Sequence, residues 1–274
     1  MFEIERIVRQ ALQEDIGLGD VTTQATVEPG TQARAELVAK EDFVLSGGDV
    51  ARKVFQQLDS SLAIEILKED GQQIRRGEVL AWLKGEAASL LQGERVALNL
   101  MQRMSGIATL TRQFVDAVAG TGATIVDTRK TTPGLRVLEK YSVRMGGGRN
   151  HRTSLYDGVL IKENHIAAAG GIATAIERAR ARVPHVLKIE IETQSLDDVS
   201  QALQAGAEVI LLDNMDLEQL REAVALVAGR ALTEASGGVN LDTVTEIAAT
   251  GVDLISVGAL THSYRSVDIS MLFC

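Results

Sequence analysis

The 274-residue chain has a single cysteine, Cys274, at its last position. One thiol can form neither an intramolecular disulfide nor a cysteine-based zinc cluster, so a reducing compartment is the expected setting. Aromatic residues are scarce, with five Phe, three Tyr and one Trp. That argues against an aromatic platform for a ligand. The abundance of Ala and Gly points instead to tight helix–strand packing. No apolar run approaches the roughly 20 residues that span a bilayer. The opening Met1-Phe2-Glu3-Ile4-Glu5-Arg6 mixes acids with bases and resembles neither a secretory signal nor a transit segment. The expected location is the cytoplasm. Positive charge is in deficit, with 28 Lys+Arg against 37 Asp+Glu and a net charge of −9. Neither nucleic acid nor an anionic membrane is an expected partner.

What is present is ordinary for a globular protein: 45% hydrophobic and 24% charged residues in a length that suits one large domain or two modest ones. The second half alternates short apolar runs with helical stretches. The runs are Thr124-Ile125-Val126, Val159-Leu160-Ile161, Val186 to Ile191, Val209 to Leu212, Ala231-Leu232-Thr233 and Leu254 to Val257. Helices are predicted over Ile172 to Val183, before Pro184, and over Leu196 to Ala205 and Leu217 to Ala228, each followed by glycine. Apolar strands alternating with helices indicate a parallel sheet covered on its outer face. Periodicity alone leaves open a doubly wound sheet or a barrel. Polar or glycine positions follow every one of the six strands, which favours a barrel with its site at one end, incomplete because only six strands are counted.

The first hundred residues read differently. A helix over Ile4 to Gln13 precedes short strand candidates at Ala33 to Ala39 and Phe43-Val44-Leu45, and the turn-rich stretch Glu69 to Leu83 has the pattern of a meandering antiparallel sheet. A long helix from Ala88 to about Arg103 leads onward. The expected class is α/β, with this antiparallel first region leading into an incomplete barrel of mostly parallel sheet.

Charge is segregated. Residues 129–162 carry eight Lys+Arg against Glu139 and Asp157, a net +6, so the rest of the chain holds −15. Such segregation marks a small-anion site in an acidic protein. Arg129, Lys130, Arg152 and Lys162 fall at or near strand ends and are its candidate cations, whereas Arg136, Lys140 and Arg144 read equally well as a solvated basic helix. His151 follows the glycine-rich loop Gly146-Gly147-Gly148 and suits contact with an anion or a ring. Lys188, Glu190 and Glu192 share one strand face. Glu192 and Asp213, near strand ends, suit sugar hydroxyls or a hydrated divalent cation, and Glu190 reads best as a structural ion pair with Lys188. Ser236-Gly237-Gly238 and Val257-Gly258 follow the last two strands, where barrels hold phosphate on backbone N–H groups. The pieces together describe a phosphorylated ribose bearing a pyrophosphate, beside a carboxylate-bearing acceptor.

At this point the chain closely resembles the quinolinate phosphoribosyltransferase family. The matching stretches are Gly19-Asp20-Val21-Thr22-Thr23, Gly93-Glu94-Arg95-Val96-Ala97-Leu98-Asn99 and Ser105-Gly106-Ile107-Ala108-Thr109. They continue with Asp127-Thr128-Arg129-Lys130-Thr131-Thr132-Pro133-Gly134-Leu135-Arg136, Asn150-His151-Arg152, Leu212-Asp213-Asn214, Glu234-Ala235-Ser236-Gly237-Gly238 and Val257-Gly258-Ala259-Leu260-Thr261. Where the family usually reads Lys-Asp-Asn-His, this chain has Lys162-Glu163-Asn164-His165 and keeps the charge. The resemblance implies an N-terminal α/β sandwich domain over 1–105, with 266–274 packing back on it, and an open α/β barrel catalytic domain with a mostly parallel sheet over 106–265, in a homodimer whose active sites lie between subunits, with Arg95 reaching the partner's site. It implies that Arg95, Thr128, Arg129, Lys130, His151, Arg152 and Lys162 hold the two quinolinate carboxylates and the pyrophosphate, and that Glu192 and Asp213 hold the ribose hydroxyls of phosphoribosyl pyrophosphate. Ser236, Gly237, Gly238, Val257 and Gly258 then hold the 5′-phosphate, and Lys130, Glu192 and Asp213 stand closest to the chemistry. Mg²⁺ is implied as a companion of the pyrophosphate, with no protein metal site. Rival readings are the molybdenum-associated relative of the family and a non-catalytic phosphosugar-binding protein; retention of the strand-end cations speaks against both.

Overall fold

The computed structural model describes residues 2–274. In chain order the elements are α1 (Phe2–Ile16), α2 (Val21–Thr26), β1 (Gln32–Ala39), β2 (Phe43–Val44), α3 (Gly48–Leu58), β3 (Ala63–Ile66), β4 (Gln73–Ile74), β5 (Val79–Glu86) and α4 (Ala87–Ala117). There follow β6 (Thr124–Val126), α5 (Arg136–Met145), β7 (Val159–Ile161), α6 (Glu163–Ala169), α7 (Ile172–Arg180), β8 (Ile189–Thr193), α8 (Leu196–Gln204), β9 (Val209–Asp213) and α9 (Leu217–Val227). The chain ends with β10 (Leu232–Ser236), α10 (Val244–Ala248), β11 (Leu254–Ser256), α11 (Ala259–His262) and β12 (Ile269–Phe273). Two compact units divide it: Met1–Arg112 with Thr131–Gly147 and Ser263–Cys274, and Gln113–Lys130 with Gly148–His262.

The first unit is built on an antiparallel sheet in the order β12-β1-β5-β3. β1 pairs with β12 from Ala35 opposite Phe273 to Ala39 opposite Ile269, so the last residues of the chain complete the sheet. Alternation along β1 buries Ala35, Leu37 and Ala39. Helix α1 carries apolar residues three and four apart, of which Ile7, Val8 and Leu12 are buried in the same core. Asp20 caps α2 by accepting the Thr23 N–H at 3.0 Å. Helix α4 runs well past the expected stop near Arg103 because its buried face continues through Met104, Ile107, Ala108 and Phe114. Gly106 within it is a packing requirement, since a Cβ there would lie 2.2 Å from the Arg265 carbonyl oxygen. Helix α5 departs from the solvated reading: Glu139 and Lys140 are buried, and Glu139 pairs with Arg103.

The second unit is a six-stranded parallel sheet in the order β6-β11-β10-β9-β8-β7. Among the described residues β6 and β7 do not pair with each other, so the array is an open barrel. Residues of one parity face the helices: Ile189, Ile191, Ile210, Leu212, Ala235 and Ile255 are buried there together with Ile176, Val199, Leu220 and Ala223. Helices α8 and α9 begin at side-chain caps, Ser195 accepting from the Asp198 amide and Asp216 from the Glu218 and Gln219 amides. Residues of the other parity face inward and line two cavities. Lys188 precedes β8 and is exposed, so the expected ion pair with Glu190 does not form; Glu190 faces His151 instead.

Candidate active site

The inward residues at the C-terminal ends of the six strands enclose a cavity of about 480 Å³. Thr128 follows β6, Leu160 and Lys162 come from the end of β7, Glu192 from β8, Leu211 and Asp213 from β9, Glu234 and Ser236 from β10, and Ser256 from β11. Arg129, Lys130, His151, Arg152, Asn214, Gly237 and Gly238 complete it from the loops. This is where βα loops gather functional groups in a parallel barrel. The structure thus brings together Thr128, Arg129, Lys130, His151, Arg152, Lys162, Glu192, Asp213, Ser236, Gly237 and Gly238.

Three expected residues stand apart from that lining. Val257 is buried, and its amide is spent on the Val126 carbonyl at 2.9 Å, so no donor is left for a phosphate. Gly258 lies behind Lys130: a Cβ there would be 3.0 Å from Lys130 Cδ and 3.1 Å from His262 Nε2. Arg95 is exposed on α4, in the other unit, paired with Glu94 at 3.1 Å.

The cations are held by local bonds. Lys162 Nζ meets Glu192 Oε2 at 2.9 Å. The Arg152 guanidinium donates to the Gly158 carbonyl at 3.2 Å, and a Cβ on Gly158 would lie 3.0 Å from Arg152 Cβ, a tight fit. Burial and the neighbouring Arg129 guanidinium pull Arg152 below the usual arginine range, opposed by Glu190 and Asp157. Arg129 Nε is buried without an acceptor. The Thr261 hydroxyl donates to the Lys130 carbonyl at 2.8 Å, and the Lys130 amide donates to Thr128 Oγ1 at 3.0 Å, which fixes that strand end.

Asp127, fully buried at the end of β6, accepts the His151 amide at 2.8 Å and the Asn150 side-chain amide at 2.6 Å and so anchors the loop that carries Arg152. Opposite, Asn214 donates its amide to the Ser236 carbonyl at 2.9 Å. Gly237 and Gly238 both have positive φ, 99° and 61°, and a Cβ on Gly237 would lie 2.1 Å from Asn214 Oδ1. Both positions therefore favour glycine, and the turn passes close beside Asn214.

Below this rim the inward face changes character. A second cavity, about 520 Å³, shares His151, Arg152 and Glu234 with the first and is lined also by Val126, Val209, Leu254 and Glu190, the inward residues one pleat earlier. Glu190 Oε2 is 2.9 Å and Glu234 Oε2 3.7 Å from His151 Nε2. Burial, with Glu190 adding to it, pushes the Glu234 carboxyl up to about 7, while His151 and the Ser256 hydroxyl pull down and Asp127 pushes up. Residue types and spacing gave this carboxyl no role. The available signal was a charged residue in a short apolar strand, at the parity of Ser236.

Mg²⁺ takes oxygen ligands in near-octahedral geometry and keeps several waters. The three donors of His151, Glu190 and Glu234 do not suit it: the Arg152 amide donates to His151 Nδ1 at 2.7 Å, so the ring proton is on Nε2. Elsewhere the upper cavity offers Glu192, engaged by Lys162, and Asp213. That set fits an ion arriving on phosphate oxygens.

An open parallel α/β barrel with a cationic, glycine-rimmed cavity at its strand C-termini is the architecture of an enzyme that works on phosphorylated substrates. Two family models match the chain, the quinolinate phosphoribosyl transferase N-terminal domain over residues 20–105 and its C-terminal domain over 107–272. A probable carboxylating nicotinate-nucleotide pyrophosphorylase of Bacillus subtilis (strain 168) is 46% identical over 98% of this chain and 93% of its own. The chloroplastic carboxylating enzyme of Arabidopsis thaliana is 42% identical over 98% of this chain and 82% of its own. The solved structure of NadC from Streptococcus pyogenes superposes with a TM-score of 0.96 at 41% identity, covering all of this chain and 98% of that one. The chain belongs to the quinolinate phosphoribosyltransferase family.

Proposed function

We propose that the protein transfers the phosphoribosyl group of phosphoribosyl pyrophosphate to the ring nitrogen of quinolinate, with loss of the 2-carboxylate, to give nicotinate mononucleotide, pyrophosphate and CO₂ in de novo NAD synthesis. The observation that carries this reading is one cavity holding strand-end cations, two rim carboxylates and a double-glycine turn. A dianionic acid, ribose hydroxyls and a phosphate find complementary partners there.

Arg129, Arg152 and Lys162 hold the two carboxylates of quinolinate, guanidinium forks matching carboxylates bidentately, and His151, whose Nδ1 accepts the Arg152 amide, positions Arg152 among them. Lys130, as a compact charge, holds the pyrophosphate beside Thr128. Glu192 and Asp213 accept from the ribose hydroxyls, and Ser236 with the Gly237 and Gly238 amides takes the 5′-phosphate. Mg²⁺ neutralises the leaving pyrophosphate when bound on it. As the pyridine nitrogen attacks and the C1′–O bond breaks, positive charge grows on the ribose beside Glu192 and Asp213, which stabilise it. No enzymic nucleophile is needed. The bond to the 2-carboxylate then breaks, its electron pair stays on ring carbon 2, and the positive charge of the adjacent quaternised nitrogen stabilises that pair. Nicotinate and nicotinamide leave part of the cationic rim unpaired, which discriminates against them.

The working form is a homodimer in which Arg95 enters the partner's site; its exposed position on α4 supports this. Among the described residues no helix is long and apolar enough to cross a membrane, in keeping with a cytoplasmic enzyme. The test is incubation of the purified protein with Mg²⁺, phosphoribosyl pyrophosphate and, separately, quinolinate, nicotinate or nicotinamide. Nicotinate mononucleotide forms from quinolinate alone; no turnover of any acceptor overturns the reading.

A further inference from the structure

Loss of CO₂ leaves an electron pair on ring carbon 2 that a proton must fill. The rim groups have other work in the reading above: Arg129, Arg152 and Lys162 hold the carboxylates, Lys130 the pyrophosphate, and Glu192 and Asp213 accept from the ribose hydroxyls. On the same inward face, one pleat below Ser236, lies Glu234. Its side chain is 1% exposed, it lines the reaction cavity, and neither carboxyl oxygen has a hydrogen-bond partner. We propose that Glu234 is the acid that protonates ring carbon 2 after CO₂ departs. This rests on the decarboxylating reaction proposed above.

The surroundings of Glu234 hold a proton there. The charged groups facing it are Glu190 from β8, Asp127 from the end of β6 and His151 from the glycine-rich loop, with the Ser256 hydroxyl on β11. One donor atom each of His151, Glu190 and Glu234 lies within 4.8 Å of the others. His151 Nδ1 accepts the Arg152 amide at 2.7 Å, and its Nε2 lies 2.9 Å from Glu190 Oε2. Burial, with the Glu190 carboxyl adding to it, holds the proton on Glu234, whose carboxyl titrates at about 7.

The step balances. The bond from carbon 2 to the carboxylate carbon breaks, its electron pair stays on carbon 2, and CO₂ leaves. That pair forms the C–H bond with the Glu234 proton, leaving a carboxylate, which takes a proton from solvent before the next turnover.

A rapid-quench experiment on the full-length protein with Mg²⁺, phosphoribosyl pyrophosphate and quinolinate separates the two halves of the reaction. In Glu234→Gln, first-turnover pyrophosphate release stays within about threefold of the parent while nicotinate mononucleotide appears at least about a hundredfold more slowly. Equal rates for both products, or an equal fall in both, overturn the assignment. Should the variant not fold, the unaltered protein decides. Its nucleotide-forming step slows as pH rises through about 7 relative to pyrophosphate release, and a flat ratio from acid to alkaline pH rejects the proposal. If the unaltered protein makes no nicotinate mononucleotide, the function itself has failed; if it does and the variant does not split the steps, only the Glu234 assignment has.

Discussion

The rim and the floor of the barrel use the same inward parity for opposite ends. At the rim, Lys130 and Lys162 are exposed, and Glu192 has a lysine to answer it. One pleat lower, Glu190 and Glu234 are buried, share one histidine and leave carboxyl oxygens unpartnered. Two residues along β8 therefore separate a paired carboxylate from one in an acid cluster. Water sets the difference: near the surface opposite charges are cheap to hold and ready to exchange for a ligand, whereas in the interior a carboxylate without a cation keeps its proton. The rim binds charge and the floor stores a proton.

The largest effect expected breaks the rim. Arg152→Ala removes a half-buried fork and leaves a quinolinate carboxylate unpaired, at a cost of about 2–5 kcal/mol. A loss of roughly a thousandfold in kcat/KM for quinolinate follows; unchanged kinetics reject its role. The same variant reports on the partner subunit. Mixed and re-equilibrated with an Arg95→Ala chain that is also inactive, it recovers about a quarter of parental activity, because half the dimers are mixed and each has one intact site. No recovery, with mixed dimers demonstrated, removes Arg95 from the partner's cavity.

A smaller effect concerns the floor. Glu234 has a folded pKa of about 7 against an ordinary value of 4.5. The folded state binds the proton more tightly than the unfolded state, so stability from this group is full below pH 4.5 and is lost as pH rises to about 7. The loss is at most about 3 kcal/mol by linkage. Glu234→Gln has no such dependence, so urea unfolding at pH 5 and pH 8 finds the variant gaining on the parent at the higher pH. A difference that stays constant between the two pH values means that the carboxyl is not held protonated.

Much of this was legible in the sequence because parity and position suffice for it. The six apolar runs became the six parallel strands, and the residues after them became the rim. What pattern reading missed depended on three-dimensional neighbours. Lys188 and Glu190 share a face in sequence, yet the strand begins after Lys188, and the partner of Glu190 arrives from a loop 39 residues earlier in the chain. Val257 sits beside a glycine in a strand-end motif, but its amide completes the sheet. The long helix α4 runs on past the expected stop near Arg103, and Gly106 within it admits the Arg265 backbone, a neighbour 159 residues further along the chain. Glu234 went unassigned because a buried acid acquires meaning only from the acid that β8 places beside it.

The smallest effect tests whether the rim is dispensable for the fold. Lys162 is 52% exposed in its side chain and Glu192 12%, with a single contact of 2.9 Å between them. Exposed pairs of this kind contribute about 1 kcal/mol or less, and water can reach the head groups once the lysine is gone. Lys162→Ala therefore shifts the unfolding free energy by less than about 1 kcal/mol while it weakens use of quinolinate. A stability loss of more than about 2 kcal/mol in urea unfolding shows that Glu192 depends on the lysine as a buried charge does. The separation of a solvated binding rim from a structural acidic floor then fails at β8.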